Sequence, residues 1–230
     1  MTRNTEPGAQ EPELGVRKAE LGVRKAEPGA QRSHARANRA RILAVARHEL
    51  GANPDATIDE IARAAGVVRR TLYAHFPGRA ALLEALADEA AGALRAAITA
   101  AKAPADTPEQ ALARQTLELW RVGDRYRTLL ALGRQSFGDT WLRDLTGPVH
   151  RNCVDILERG QAGGVFHRHL SPDVLAHGLG ALMVSLLESV NAGLWEDAGS
   201  GAAIATLIAA GVSPGDAPAI VGDLGAPKPV

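Results

Sequence analysis

The chain has 230 residues, of which 46% are hydrophobic and 3% aromatic, and its 26 basic and 26 acidic side chains cancel. This length is enough to bury a hydrophobic core in one or two domains. Abundant alanine and leucine, with no sustained alternation of apolar and polar residues, exclude a β-sheet protein and predict an all-α fold. The lone cysteine, Cys153, excludes an intrachain disulfide and favours a reducing compartment.

The zero net charge conceals an uneven distribution along the chain. Residues 1–31 contain five basic and five acidic residues. Residues 32–79 contain nine arginines against four acidic residues, whereas residues 80–230 contain 12 basic against 17 acidic residues. A basic segment followed by an acidic one indicates that only the basic segment meets a polyanion.

The N-terminal segment carries a direct repeat, because ELGVRKA occurs at 13–19 and again at 20–26. Two copies are too few for a coiled coil, and each holds a helix-weakening glycine, so we predict a disordered low-complexity tail over residues 1–32. The alternative is a basic arm that enters the minor groove of DNA, although interleaved glutamates argue against it. The cations of such an arm would be Arg17, Lys18, Arg24 and Lys25.

No membrane segment is predicted. The N-terminus has no apolar run of the kind found in signal peptides. The apolar stretch Val174–Leu187 is shorter than the roughly 20 residues that a span needs, and Ala198–Gly215 is interrupted by glycine, serine and proline. We therefore expect a soluble cytoplasmic protein.

Helical periodicity begins near Ala35 and continues to Leu50, where a glycine and an Asn-Pro pair end the first helix. The second helix begins at Thr57, which forms a capping box with Glu60 three residues later. Gly66 ends that helix.

A third helix is predicted over residues 68–76, followed by a turn at Pro77-Gly78 and one long helix to about Ile98. Two short helices joined at a glycine within a small basic three-helix unit form a helix-turn-helix. In that arrangement the second helix enters the major groove of DNA, and its N-terminal residues reach the base edges.

The N-terminal residues of the third helix are Arg69, Arg70 and Thr71. Arginine can bond guanine bidentately, and the threonine methyl can meet a thymine methyl. Tyr73 and His75 leave the apolar face and can donate to phosphates. The alternatives are a solvated arginine face, a core tyrosine with a surface hydroxyl and a merely exposed histidine.

The segment 57–83, TIDEIARAAGVVRRTLYAHFPGRAALL, resembles the signature of the TetR family of bacterial transcriptional repressors. The resemblance implies a helix-turn-helix DNA-binding domain over residues 33–94, a helical ligand-binding and dimerisation domain over 95–222, and a frayed C-terminus over 223–230. It also implies a set of DNA-binding residues, with Arg79 placed where the amides of the next helix favour an anion. These residues are Thr57, Arg69, Arg70, Thr71, Tyr73, His75 and Arg79.

The segment departs from the family pattern at four positions. Val68 replaces the serine that usually caps the recognition helix, and Arg70 stands where glycine or alanine is common. Gly78 and Ala80 replace the usual serine and glutamate at the start of the next helix. A missing N-cap oxygen costs about 1 kcal/mol and removes one phosphate donor.

Beyond residue 104 we predict helices near 108–121, 125–136, 141–161, 172–195 and 202–210, with a short one at 214–222. By resemblance, an effector cavity lies among the middle helices, and the two helices from Pro172 and Ala202 form a dimer interface. The candidate ligand-binding residues are Trp120, Trp141 and Met183. The candidate interface residues are Leu182, Leu186 and Val190.

Neither a catalytic site nor a metal or cofactor site is predicted. No nucleophile–base spacing, paired acids or phosphate-binding glycine loop occurs, so we do not expect an enzyme. His167 and His169 could form a metal pair, but no nearby cysteine or acid completes a tetrahedral ligand set, and only His150 and His177 could come close in space. The alternation fits an exposed turn equally well. Cys153 lies on an apolar helical face and is interpreted as a buried thiol.

The sequence therefore predicts a homodimeric, ligand-responsive repressor that binds a palindromic double-stranded operator and is released by an unidentified small-molecule effector. Two alternatives stay open: a nonspecific DNA-binding protein of the nucleoid type, and an activator of the same family. An enzyme that uses the helical body has no residue pattern in its favour.

Overall fold

A computed structural model of the chain describes Met1 and residues 28–103 and 106–225. Its contacts divide the chain into two units, residues 1–36 and residues 37–230. The described residues form helices and no strand, which confirms the all-α prediction. Most of the predicted tail over residues 1–32, including the four cations of the alternative DNA-binding arm, lies outside the described residues.

The first four helices are α1 (Pro28–Ala52), α2 (Ile58–Ala64), α3 (Arg69–His75) and α4 (Arg79–Ala100). They are followed by α5 (Pro108–Ala162), α6 (Pro172–Asn191), α7 (Ser200–Ala210) and α8 (Ala217–Gly225). We call α1 from Ala37 onward, together with α2, α3 and α4, the head. We call α5 to α8 the body.

The helix ends predicted for the head, a capping box before α2 and a glycine after it, are present. The Glu60 amide donates to the Thr57 hydroxyl at 3.3 Å, and the Thr57 amide donates to the Glu60 carboxylate at 2.7 Å, so the predicted capping box is present. Gly66 follows α2 with a φ of 64°, a left-handed backbone that glycine adopts without steric cost. The apolar faces then meet in one core, whose fully buried members include Ile42, Leu50, Ile61, Leu72, Phe76, Leu82 and Leu86.

Several helix ends differ from the predictions. α1 begins at Pro28, before the predicted start at Ala35, and α4 ends at Ala100, close to the predicted end. α6 ends at Asn191 instead of residue 195, and α8 covers Ala217–Gly225 instead of 214–222.

The predicted break between residues 121 and 125 is wrong, because α5 continues through Gly123. A Cβ at Gly123 would lie 2.8 Å from Cδ1 of Leu187 on α6, so this glycine serves close helix packing instead of chain termination. The predicted break after residue 136 is present as a kink at Gly138, whose φ of 80° and ψ of 178° interrupt the helix.

The body packs around a core that α5, α6, α7 and α8 share. Its members include Leu112, Cys153, Ile156, Leu157, Phe166, Leu175, Leu179 and Leu207. A smaller group, the Trp120 cluster, consists of Trp120, Leu187 and Ala202. The body therefore has two packing centres on its long helices.

α6 has 20 residues and is apolar enough, by length and composition, to cross a membrane. The apolar stretch Val174–Leu187 noted in the sequence lies within this longer helix, Pro172–Asn191. Leu175, Ala176, Leu179 and Leu187 of α6 are buried against the rest of the body.

Candidate nucleic-acid interface

α3 presents two chemically different sides. Leu72 and Phe76 are buried in the core of the head, whereas Arg69, Arg70 and Tyr73 are exposed. The spacing of four residues between Leu72 and Phe76 fixes which side faces inward. The exposed side is therefore a short cationic surface held on a rigid helix.

Arg69 is fixed in place by two neighbours. Its Nη1 lies 2.8 Å from Oδ2 of Asp59 on α2, and its Nη2 donates to the Tyr73 hydroxyl at 3.3 Å. The guanidinium carbon also lies 5.2 Å from the centroid of the Tyr73 ring, within cation–π range. The hydrogen bond with Tyr73 and the charge of Asp59 raise the pKa of Arg69.

This arrangement joins Arg69 and Tyr73 into one surface unit, the Arg69–Tyr73 pair. Stacking on the ring limits the rotamers of the arginine, and the remaining N–H groups of its guanidinium stay available as donors. A side chain that is already ordered loses less entropy when it binds a partner.

Arg70 and Thr71 follow Arg69 in the first turn of α3. Arg70 is exposed, and no carboxylate within the described residues forms an ion pair with it. Thr71 is half-buried. Val68 holds the N-cap position with 60% of its surface exposed and makes no side-chain capping bond, as the sequence departure at this position predicts.

Thr57 and His75 lie at other points of the motif. The Thr57 hydroxyl donates to the Glu60 carboxylate at 2.8 Å. The backbone and side-chain hydrogen bonds from Thr57 lower the pKa of Glu60. The His75 ring is half-buried, with its centroid 6.3 Å from that of Phe76.

Arg79 binds the backbone of the head. Its two terminal nitrogens donate to the carbonyl oxygens of Pro54 and Ala56, which lie in the connection between α1 and α2. These bonds tie the start of α4 to the residues that precede the Thr57 cap. The sequence alone suggested an anion contact for Arg79 and gave no sign of this backbone contact.

Two further residues of the surface escaped sequence analysis. Asp59, the ion-pair partner of Arg69, precedes it by ten residues across the turn. Arg39 of α1 lies over the Phe76 ring, with 5.1 Å between the guanidinium carbon and the ring centroid. Composition revealed the charge of both residues but not their partners.

The candidate ligand-binding residues separate into two places. Trp120 is 1% exposed, donates its indole N–H to the Asp197 carbonyl at 3.1 Å and meets the Trp195 ring edge-on. Met183 packs against the same Trp120 cluster. Trp141 instead is half-buried at an apolar cleft between α4 and α5.

The candidate interface residues Leu182, Leu186 and Val190 are half-buried. Leu186 and Val190 pack against the Trp120 cluster of their own chain. The exposed side of α6 carries Val174, Gly178, Ala181 and Ser185.

Histidine and cysteine contacts in the body are structural in character. His150 Nε2 lies 2.9 Å from Asp173 Oδ1, and the rings of His167 and His169 stack with 5.4 Å between centroids. The described residues contain no group of three or more side chains placed to hold a metal ion. Cys153 is buried as predicted, and burial raises the pKa of its thiol to about 12.

Residues 42–86 match a family model described as bacterial regulatory proteins, tetR family. No curated protein matches the chain. Among solved structures, a tetR-family regulatory protein from Rhodococcus RHA1 has 21% identity and a TM-score of 0.64, with 76% of this chain and 98% of that one covered.

Two similar structures contain ligands. The TetR-like regulator LfrR from Mycobacterium smegmatis, in complex with proflavine, has 24% identity and a TM-score of 0.59, with 77% of this chain and 94% of that one covered. RolR in complex with resorcinol has 20% identity and a TM-score of 0.51, with 86% and 98% covered. At these identities the structures establish a common fold.

Proposed function

We propose that this chain is a homodimeric repressor of the tetR family, since residues 42–86 match the model of that family and its fold is that of a solved tetR-family regulator. It binds a palindromic operator in the cytoplasm and leaves that operator when a small-molecule effector binds its body. The observation that carries the proposal is the exposed cationic side of α3, where the Arg69–Tyr73 pair is held ready for a polyanion.

Three residues at the start of α3 are proposed to read the bases. Arg69 and Arg70 would bond guanine, and the Thr71 methyl would contact thymine. A guanine contact by Arg69 requires no large rearrangement, because the guanidinium is exposed and already oriented by Tyr73.

The remaining predicted residues are proposed to contact phosphates or to support those that do. Tyr73 and His75 would donate to the DNA backbone. Thr57 and Arg79 would act mainly through the fold, since each is hydrogen-bonded within the head. The domain boundaries at residues 33–94 and 95–222 remain part of this proposal.

Homodimerisation is supported by the exposed side of α6. Val174 of α6 is 52% exposed and Ile208 of α7 is 39% exposed, and the exposed side of α6 also carries the small residues Gly178, Ala181 and Ser185. Small side chains allow close helix–helix approach, and a second copy would cover these apolar groups. Two recognition helices would then enter successive major grooves about 34–36 Å apart.

An effector would act by favouring a dimer state with a different spacing of the two α3 helices. It can shift that equilibrium only as far as its affinity differs between the two states. The ligands of LfrR and RolR, proflavine and resorcinol, support the expectation that this chain also takes a small molecule. Regulation of this kind requires no catalytic step or cofactor.

Operator binding is tested by selection from a pool of random duplexes with the purified full chain at fixed salt. We expect an enriched palindrome bound about 1,000-fold more tightly than random DNA. Arg69→Ala should weaken that complex by about 1–3 kcal/mol and relax one base preference, whereas Tyr73→Phe should weaken all duplexes alike. Arg151→Ala, which removes an exposed arginine from the body, serves as the control and should bind like the wild type.

Failure to enrich any palindrome, with equal affinity for all duplexes, would favour the nonspecific DNA-binding alternative. Repression is tested separately with a promoter reporter that carries the selected operator. Increased transcription in the presence of the protein would show that it acts as an activator and not as a repressor.

The dimer is tested with Gly178→Arg. A Cβ at Gly178 meets no other atom within 4 Å, so the substitution leaves the fold of one subunit intact and obstructs only a partner. We expect sedimentation to show monomers with reduced operator affinity. Leu186→Arg is a poorer test, because Leu186 also packs inside its own chain. A Gly178→Arg dimer of wild-type stability would rule out this interface.

A further inference from the structure

An apolar cleft lies between α4 and α5, and the Trp141 ring occupies it. The ring rests on the backbone of Gly133, since a Cβ at Gly133 would lie 2.2 Å from Cη2 of Trp141. The space that remains is no larger than a water molecule. Its other lining residues include Leu83, Leu86, Ala90, Tyr126, Leu129 and Leu145.

Tyr126 connects this cleft with the head. Its hydroxyl donates to Oε1 of Glu89 on α4 at 2.7 Å, and the same carboxylate oxygen accepts a hydrogen bond from Arg47 of α1. The Arg47 guanidinium also lies 5.5 Å from the centroid of the Tyr126 ring. Burial and the bond to Glu89 raise the pKa of Tyr126, so its hydroxyl stays protonated and donates at neutral pH.

We propose that the Trp141 ring occupies the effector site in its closed form, that a neutral aromatic molecule of indole size displaces it, and that Glu89 transmits this occupancy to α1 through Tyr126 and Arg47. The transmission step rests on the proposed operator binding. The identity of the site does not, because it can be tested without DNA.

The lining of the cleft determines the class of effector. Its side chains are aliphatic or aromatic, and the phenol of Tyr126 already donates to Glu89. A charged group in this cleft would lose its hydration without gaining a partner, so a neutral molecule is favoured. The flat Trp141 ring against the Gly133 backbone indicates that the molecule is planar.

The shared oxygen of Glu89 makes this carboxylate the point where three helices meet. A molecule that moves the Tyr126 ring lengthens the Tyr126–Glu89 bond and alters the acceptor that holds Arg47. The neighbours of Arg47 on α1, Leu43, Ala46 and Leu50, belong to the core that supports α3. A change at Glu89 can therefore reach the DNA-binding surface through packed side chains.

The experiment uses the full chain with Trp141→Ala and indole as the probe. Removing the ring leaves an apolar cavity that indole fits, and calorimetry should give one binding site per subunit, absent or far weaker in the wild type. Indole should then weaken binding of Trp141→Ala to the selected operator at least about 5-fold, the lower end of usual allosteric coupling. If Trp141→Ala loses its helical circular dichroism, Trp141→Leu replaces it, and because leucine fills part of the cavity the probe is then the smaller ring of benzene.

Transmission is tested by adding Glu89→Gln to the Trp141→Ala protein. Glutamine still accepts from Tyr126 but loses its charge toward Arg47, so indole should bind with unchanged affinity and no longer affect operator binding. Glu188→Gln is the matched control, because Glu188 pairs with Arg134 outside the cleft, and it should retain the response.

Each negative result has a different meaning. No indole binding by a folded Trp141→Ala protein, or no benzene binding by Trp141→Leu where that variant replaces it, would refute the site, and an undiminished response in the Glu89→Gln protein would refute the transmission. Failure to select any operator would instead refute the proposed function, while the calorimetric result would still decide whether the site exists.

Discussion

Polar side chains on α3 of the head and on α5 of the body have opposite surroundings. On α3 of the head, Arg69, Arg70 and Tyr73 are exposed. In the body, Gln115 and Thr116 are each 3% exposed, although both are polar. These α3 side chains are thus accessible to a partner, whereas Gln115 and Thr116 are hydrogen-bonded inside the body.

The internal partners in the body are specific. The Thr116 hydroxyl donates to the Leu112 carbonyl at 2.9 Å, and the Asn152 amide donates to the Gln115 side-chain oxygen. A buried polar group without a partner would cost about 1–3 kcal/mol, so these bonds are needed for the body to fold. The two sets of polar side chains therefore differ in role: those of α3 are accessible and carry the proposed interface, whereas the buried pair in the body supports its packing.

The largest effect on stability is expected from a substitution on the buried side of the recognition motif, compared with one on its exposed side. Phe76→Ala should lower the free energy of unfolding by about 3–5 kcal/mol, because the Phe76 side chain is 1% exposed. Urea unfolding measures this loss, and hydrogen exchange should place it in the head, since Phe76 is absent from the core of the body. Tyr73→Ala is the control: it should change stability little and operator affinity strongly. Equal destabilisation by both variants would show that Tyr73, like Phe76, contributes to the core of the head.

The next effect is a pH-dependent change in the free energy of unfolding, caused by the buried thiol of Cys153 in the body. Burial raises the pKa of the Cys153 thiol to about 12, against about 8.5 in an unfolded chain. The folded state therefore keeps the proton at higher pH than the unfolded state does. Its contribution to stability is complete below about pH 8.5 and is lost as the pH rises toward 12.

Between pH 8.5 and pH 10 this loss should reach about 2 kcal/mol. The measurement compares unfolding free energies of the wild type and Cys153→Ala over that interval. Other titrating groups, including Tyr126, are present in both proteins and cancel in the difference. Parallel pH curves would show that the thiol is not desolvated.

Much of the head could be predicted because its signals are local. The cap at Thr57 and its partner Glu60 are three residues apart, and Gly66 ends the same short helix six residues after Glu60. Helix ends of this kind are fixed by neighbours in sequence. The order of helices through α4 followed from them.

The body was predicted less well because its determinants are distant in sequence. The helix end predicted between residues 121 and 125 is absent, because Gly123 lies against Leu187 of another helix. Gly160 similarly faces the Phe166 ring, with a Cβ position 2.1 Å from Cδ2. Periodicity identifies apolar faces but cannot identify which faces meet.

The same limit applies to individual site residues. Sequence spacing placed Arg69 and Tyr73 on one surface but did not reveal Asp59 as the partner of Arg69. It grouped Trp120 with Trp141, although the first fills a packed cluster and the second a cleft. Side-chain contacts across a turn or between helices require the three-dimensional structure.

A moderate effect is expected at the turn of the head. Gly66→Ala should cost about 1–2 kcal/mol, because alanine is strained at a φ of 64°. A Cβ at Gly66 would meet no atom within 4 Å, so the cost is purely conformational, unlike that at Gly160 in the body. Gly66→Asn should cost less, since asparagine tolerates the left-handed region. Thermal unfolding measures both, and equal losses would point to a steric cause.

The smallest predicted effect is a gain in the stability of the head. Val68→Ser should stabilise it by about 1 kcal/mol, because the N-cap backbone is already extended, with φ of −74° and ψ of 149°, and lacks only a side-chain acceptor for the amides of α3. Val68→Ala controls for loss of the exposed valine and should leave the unfolding midpoint nearly unchanged. The serine hydroxyl would also add a phosphate donor, so operator affinity should rise with stability. A serine variant that is more stable but binds the operator no better would show that the N-terminus of α3 lies away from the phosphates, with its arginines turned directly toward the bases.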